Sequence, residues 1–298
     1  MSRTTTLSLY AMLVLIWSST WVAIRFGLED TPPLLGAGVR FVASGLLLQA
    51  ITAARRRPLR TDVVLAAILG LLPFALAYGL IYWAEQSVPS GLAAVLFGVM
   101  PLYVALLAAL LLPAEHIHRR LVGGVLVAIA GLAVAFAESV ALGDGAHPLL
   151  GAAAMLVAPM ASAVGNVSIK RRGAGLDAVA LNGWAMTGGG LVLLAVSAPA
   201  EDWGAAAWTG QAFGAIAYLA LAGTALSFVV LTILLGELTA VTMSYIPLLL
   251  PFGALAFGAA LYDETVTAAA AAGAALVAAG LLVAQWPARA RARVPSRA

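Results

Sequence analysis

The side chains in this sequence best suited to chemistry are ones that hold a small molecule rather than break its bonds. Trp17 and Trp21 stand four apart in the stretch WSSTWVAIRF, so one helix face carries both. Phe74, Tyr78 and Tyr82 repeat that spacing, and Phe97 and Met100 flank Pro101. Ser162 and Asn166 follow Pro159 at helical intervals. Asn182, Trp184 and Met186 stand together, and Tyr245, Pro247 and Pro251 fall in MSYIPLLLPF. Rings offer an apolar wall, while phenol, hydroxyl and amide groups offer a few hydrogen bonds. Arg25 and Arg40 could line an outer vestibule and steer a carboxylate. Plainer readings stand beside these. The rings can be packing or an interfacial belt, the asparagines glue between helices, the prolines kinks, and the arginines surface partners of Glu29 and Asp30.

Nothing in the chain points to catalysis. There is no Gly-rich phosphate loop, no Ser/His/Asp set and no pair of catalytic carboxylates. The absence of cysteine removes disulfides, thiolate metal sites and thiol nucleophiles. His116 and His118, beside Glu115, read as a solvated loop rather than a metal site. No metal, no cofactor and no enzymatic activity are expected.

The elements that must position these residues follow from composition. Of 298 residues, 63% are hydrophobic and only 10% charged, too little polar surface to coat a soluble globule. A crossing helix needs about 20 apolar residues. Ten such stretches occur, near 8–27, 35–53, 63–84, 91–112, 119–137, 149–169, 178–197, 211–233, 240–260 and 268–286. The first carries no clear cleavage pattern after its apolar run and reads as a retained span rather than a signal peptide. With the N-terminus inside, the inner segments hold Arg3, Arg55, Arg56, Arg57, Arg60, Arg119, Arg120, Lys170, Arg171, Arg172, Arg289, Arg291, Arg293 and Arg297. That is 14 of the 16 basic residues, and the outer loops hold none. The positive-inside rule therefore supports ten spans with both termini cytoplasmic. The basic runs are topology signals and lipid-headgroup contacts, so no nucleic-acid partner is implied.

The chain also repeats itself. GGVLVAIAGLAVA (123–135) matches AGAALVAAGLLVA (272–284) at six of thirteen positions, ALAY (75–78) faces ALSF (225–228), and Pro101 faces Pro251. Two units of five spans are expected, 1–140 and 147–287, followed by a basic cytoplasmic tail, 288–298. Five is odd, so the second unit enters the membrane from the opposite side. The expected fold is an all-α membrane protein with two inverted five-helix repeats around a central cavity.

The segments WSSTWVAIR (17–25), PPLLGAGVRF (32–41), PLYVALLAALLLPAE (101–115) and PFGALAFGAALYDE (251–264) carry a resemblance. The chain resembles the drug/metabolite transporter superfamily, in its ten-span form with two EamA-type repeats. It departs from the pattern before Glu115 and Glu264, where Ala and Asp replace the usual Gly. The resemblance implies export of small metabolites across the bacterial inner membrane, with membrane lipid and a small-molecule substrate as partners. The aromatic cluster is similar to that of the branch exporting aromatic amino acids. Cargo is expected to be amino acids, aromatic and large aliphatic ones included, moved by alternating access. A multidrug or quaternary-cation exporter is the alternative, and a channel or membrane-embedded enzyme the alternative of another class. The expected cavity residues are Trp17, Trp21, Tyr78, Tyr82, Phe97, Met100, Pro101, Ser162, Asn166, Trp184, Tyr245, Pro247 and Pro251. Glu85 and Glu138 are read near outer ends and Glu115 and Glu237 near inner ones, so no acid is expected at mid-depth and transport is expected to follow the substrate gradient.

Overall fold

The computed structural model describes residues 1–111, 120, 123–124, 126–128, 130–131, 133–134, 148–238, 240–243, 246–261 and 267–285. Among the described residues there is no strand. The helices are α1 (Arg3–Leu28), α2 (Pro33–Ala54), α3 (Val63–Ala84), α4 (Ser90–Phe97), α5 (Met100–Leu111), α6 (Pro148–Arg172), α7 (Ala178–Ala200), α8 (Gly210–Glu237), α9 (Ala240–Met243), α10 (Ile246–Leu261) and α11 (Ala268–Gln285). Seven helices of the described chain are long and apolar enough to cross a membrane: α1, α2, α3, Leu92–Leu111 (α4 with α5), α6, α7 and α8. Residues expected in the fifth and ninth spans, and the tail from 286 on, fall wholly or partly outside the described residues.

Local chemistry sets the helix starts. Ser2, Asp62, Asp177 and Thr209 are N-caps whose side chains accept backbone N–H groups of the first turn. α2 starts at Pro33, where a missing N–H costs nothing, and its next two amides are met from outside the helix. The Glu201 carboxylate, just beyond α7, accepts from Leu34 N at 2.8 Å and Leu35 N at 2.9 Å. A negative group at a helix N-terminus is favourable, and this one ties α7 to α2.

Glycine spacing then decides which helices touch. A Cβ on Gly38 would meet the Gly190 carbonyl at 3.2 Å, and one on Gly45 would meet the Gly183 carbonyl at 2.8 Å. The order 38–190 and 45–183 makes α2 and α7 antiparallel neighbours at near backbone contact. A second such pair occurs further on. A Cβ on Gly131 would meet the Gly273 carbonyl at 2.8 Å, and one on Gly280 would meet the Gly124 carbonyl at 2.5 Å. The glycines spaced by seven are therefore packing seams, as small residues between membrane helices usually are.

Two helices carry a wide turn at matching places. Residues Gly70–Ala77 of α3 and Leu219–Leu226 of α8 are π-helical. In α3 the cause is Pro73, which has no N–H to close the regular ladder. In α8 the Ser227 hydroxyl donates to the Ala222 carbonyl, five residues back, at 2.6 Å. Each wide turn ends at a ring or its neighbour, Tyr78 in α3 and Phe228 in α8.

Pro101 stands at a break rather than within one continuous helix: α4 ends at Phe97, α5 begins at Met100, and Pro101 is the second residue of α5. Pro247 and Pro251 both lie in α10.

Candidate functional site

A chamber of about 70 Å³ lies between α1, α3, α4, α6, α8 and the α9–α10 segment. α1 contributes Trp17, Thr20, Trp21 and Ile24; α3 contributes Pro73, Tyr78 and Ile81. Phe97 and Met100 come from either side of the α4–α5 break, Ser162 and Asn166 from α6, and Phe228 and Leu231 from α8. Met243, Pro247 and Leu250 close the remaining side.

The rings form a continuous chain. Trp17 packs on Phe228 with centroids 5.3 Å apart, Phe228 on Tyr78 at 6.1 Å, and Tyr78 edge-on to Phe41 at 4.8 Å. Trp21 meets Phe97 at 5.6 Å. Such contacts hold each ring in place by about 0.5–1.5 kcal/mol beyond simple burial. The Trp17 indole is further fixed by donating to the Gly223 carbonyl at 3.2 Å, a carbonyl inside the π-helical turn of α8.

Few polar groups face this wall, and several are uncommitted. The Trp21 indole N–H is buried and has no hydrogen-bond partner among the described residues. Among the described residues no hydrogen bond engages the Ser162 or Asn166 side chain, although both line the chamber. A buried donor left open is costly, so a ligand that satisfies it gains accordingly. Among the described residues no carboxylate lines the chamber.

The lining has a hidden regularity. Ser162 and Asn166 follow Trp17 and Trp21 by 145 positions, the same separation that relates Gly183 and Gly190 to Gly38 and Gly45. Phe228 and Leu231 follow Tyr78 and Ile81 by 150. Matching positions of the two halves thus meet in one chamber, with different chemistry: indoles on one side, hydroxyl and amide on the other.

Trp17, Trp21, Tyr78, Phe97, Met100, Ser162, Asn166 and Pro247 come together here. Others lie elsewhere. Pro101 is buried outside the lining. Tyr82 lies behind the wall, 2% exposed, its hydroxyl accepting from Arg40 Nη1 at 3.3 Å. Trp184 is exposed and donates to the Leu59 carbonyl at 2.8 Å. The glycine seam of α7 faces α2, which turns residue 184 outward, where an interfacial ring belongs. Tyr245 lies outside the described residues, as does the side chain of Pro251. Asn182 is glue: its amide donates to Thr232 Oγ1 at 2.8 Å, joining α7 to α8.

The two arginines separate. Arg25 is half-buried near the end of α1, away from the chamber lining. Nearby, Glu29 accepts from Gln211 and Asp30 bonds to Thr209. Arg40 does not snorkel to the surface. It is 0% exposed, with Nε donating to Thr224 Oγ1 at 2.6 Å. It lies too deep in α2, seven residues past the first helical proline, and is walled in by α3 and α8. Glu85, read near an outer end, caps the C-terminal end of α3 and is buried there, 1% exposed.

Phe228 was the main lining residue not singled out by spacing alone. A signal existed, because the ALAY–ALSF match sets Phe228 opposite Tyr78. Thr20, Pro73, Met243 and Leu250 gave no such signal.

Comparison with known proteins adds the following. Residues 5–137 and 149–285 each match the EamA-like transporter family. The uncharacterized transporter YoaV of Bacillus subtilis is 29% identical over 275 residues, which is 91% of this chain and 93% of YoaV. The uncharacterized inner membrane transporter YedA of Escherichia coli K12 is 32% identical over 264 residues, 86% of this chain and 82% of YedA. A crystal structure with 21% identity superposes with a TM-score of 0.69 over 95% of this chain and 97% of that one. It speaks to the fold alone.

Proposed function

Since the chain belongs to the EamA-like transporter family, with one repeat in each half, we propose that it exports small, partly apolar metabolites, amino acids first, through the aromatic chamber. The setting is the bacterial inner membrane, as the name of YedA suggests. The architecture is ten spans in two inverted repeats, residues 1–140 and 147–287, with both termini cytoplasmic. Antiparallel seams between α2 and α7, and between the 124–131 and 273–280 glycines, support that arrangement.

One observation carries the cargo reading: matching positions of the two repeats line one chamber with unlike chemistry. Trp17, Trp21, Tyr78 and Phe228 suit an apolar side chain, and Ser162, Asn166 and the open Trp21 N–H suit polar groups at the other end. A lining without a described carboxylate favours this over a quaternary-cation cargo, which would draw on a counter-charge as well as rings. At about 70 Å³ the chamber is small for an amino acid with a large side chain. Entry therefore requires widening toward one face, as alternating access supplies.

Competition of unlabelled amino acids against labelled phenylalanine uptake, in vesicles holding the purified protein, tests the reading. Aromatic and large aliphatic amino acids should compete, and Tyr78→Ala or Phe228→Ala should weaken them by about tenfold, the scale of one lost ring contact with its burial. Unchanged uptake and selectivity in both variants would remove the aromatic chamber as the site.

A further inference from the structure

Arg40 is the charge whose burial the helix packing does not explain. Its Nε and Nη1 are engaged by Thr224 and Tyr82, but among the described residues Nη2 has no hydrogen-bond partner. Two ion pairs, Met1 with Glu237 and Arg172 with Asp62, lie elsewhere. Its guanidinium carbon lies 4.9 Å from the Tyr78 centroid and 5.2 Å from that of Phe41. Rings attract a cation without cancelling its charge. Neither ion pair involves Arg40, and the buried Glu85 acts on its partner Tyr82 instead; an arginine at membrane depth is expensive, and such residues usually serve a substrate path.

The second repeat shows that the layer packs without a cation. The residue 145 positions on is Ala185, which is 1% exposed beside the same glycine seam. The chamber lies next to the guanidinium. Tyr78 lines the chamber and packs against the Arg40 guanidinium. Beside it the packing is close: a Cβ on Gly223 would lie 3.5 Å from Arg40 Nη2 and 2.8 Å from Cγ2 of Thr20, a lining residue, so Nη2 and the lining meet at Gly223.

We infer that Arg40 is the anion-recognition group of the chamber, its Nη2 donating to the carboxylate of an amino-acid-like cargo once the Tyr78 and Thr20 side chains shift aside. This rests on the chamber reading above and adds to it. The cargo must be anionic at one end, and the second repeat supplies no matching charge at that position. The rings then hold the side chain while Ser162 and Asn166 take the remaining polar group.

The test uses the full-length protein in lipid nanodiscs and follows its tryptophan fluorescence, since Trp17 and Trp21 line the chamber. Three probes share one ring: L-phenylalanine, 3-phenylpropionate (carboxylate only) and phenethylamine (amine only). The wild type should bind phenethylamine at least about tenfold more weakly than the two carboxylates, the worth of a charged hydrogen bond. Arg40→Gln should erase that ranking, and Arg40→Lys should restore part of it. Gly223→Ala, whose methyl must push Thr20 aside next to Nη2 without touching the charge, should weaken both carboxylates more than the amine. If Arg40→Gln does not fold, the wild-type ranking and Gly223→Ala decide the matter. Phenethylamine binding as tightly as phenylpropionate overturns the role of Arg40 and leaves the chamber standing. The same follows if Arg40→Gln keeps the wild-type ranking. A wild type that binds none of the three overturns the chamber reading and this inference together.

Discussion

Asn166 and Asn182 are the same residue type on neighbouring helices, and the structure gives them different work. Asn182 is buried and bonded to Thr232 across the α7–α8 contact, whereas Asn166 faces the chamber with its amide uncommitted. Asn182→Ala should therefore lower the thermal midpoint, by about 0.5–2 kcal/mol of stability as interhelical hydrogen bonds in membranes go, and leave substrate preference intact. Asn166→Ala should leave the midpoint within error and weaken substrate competition. Thermal unfolding and uptake on the two variants check both halves. Spacing in the sequence found both residues but left their roles open, because an amide that bonds a neighbouring helix and one that meets a ligand have the same period. Arg40 was legible as a carboxylate candidate, yet its depth was not. Depth is set by α3 and α8 closing over it, a tertiary fact with no local signature. Trp184 failed for the converse reason: its neighbours marked a polar face, but the glycines beside it decide which way α7 turns.

Helix boundaries and seams were largely legible, because capping residues, prolines and glycines act locally. The π-helical turns were not. Pro73 announces a break in α3, but Leu219–Leu226 has no proline and takes its wide turn in matching register. The seam between α2 and α7 is open to direct test. A Cβ on Gly45 would meet the Thr187 backbone nitrogen at 2.5 Å, and backbone cannot give way. Gly45→Val should cost about 1–3 kcal/mol, the usual penalty of overpacking, read as a lower unfolding midpoint in detergent. At the start of α3 the Leu65 backbone N–H, and then the Arg172 guanidinium, hold the Asp62 carboxyl below its usual value of 3.8. The sign follows directly. A lowered folded pKa means that this stabilisation is fully present above the unfolded value and is lost as pH falls through the folded one. Asp62→Asn keeps the cap and loses the ion pair. Its small deficit against the wild type should begin to shrink as pH falls below the usual carboxylate value and disappear only below the lower folded one, and it should shrink in high salt because the pair is exposed. Thermal unfolding across pH and salt measures it.

At the scale of the whole molecule, membrane class and a doubled unit could be read from composition, charge placement and internal repetition. The exact correspondence between halves could not. Sequence matching gave separations near 150, whereas the chamber and seam positions of the first two helices of each half align at 145. Loops of unequal length shift the register from span to span, and only packing reveals the shift. Energy coupling belongs to this scale. The chamber lining holds no described acid, and flux should follow the substrate gradient without an obligatory proton. A pH gradient imposed on proteoliposomes at fixed substrate gradient should leave net flux unchanged. Uphill accumulation driven by that gradient would point to Glu85, the buried acid one turn past Ile81, as the coupling group. The central claim is that two repeats alternate access to one aromatic chamber, and counterflow tests it most directly. Proteoliposomes preloaded with unlabelled phenylalanine are diluted into trace labelled phenylalanine. A carrier that exposes its chamber to one face at a time should give a transient overshoot of label above equilibrium, reduced in Tyr78→Ala and Phe228→Ala. Label that rises only to equilibrium, at a rate independent of preloading, would contradict alternating access and indicate an open channel instead.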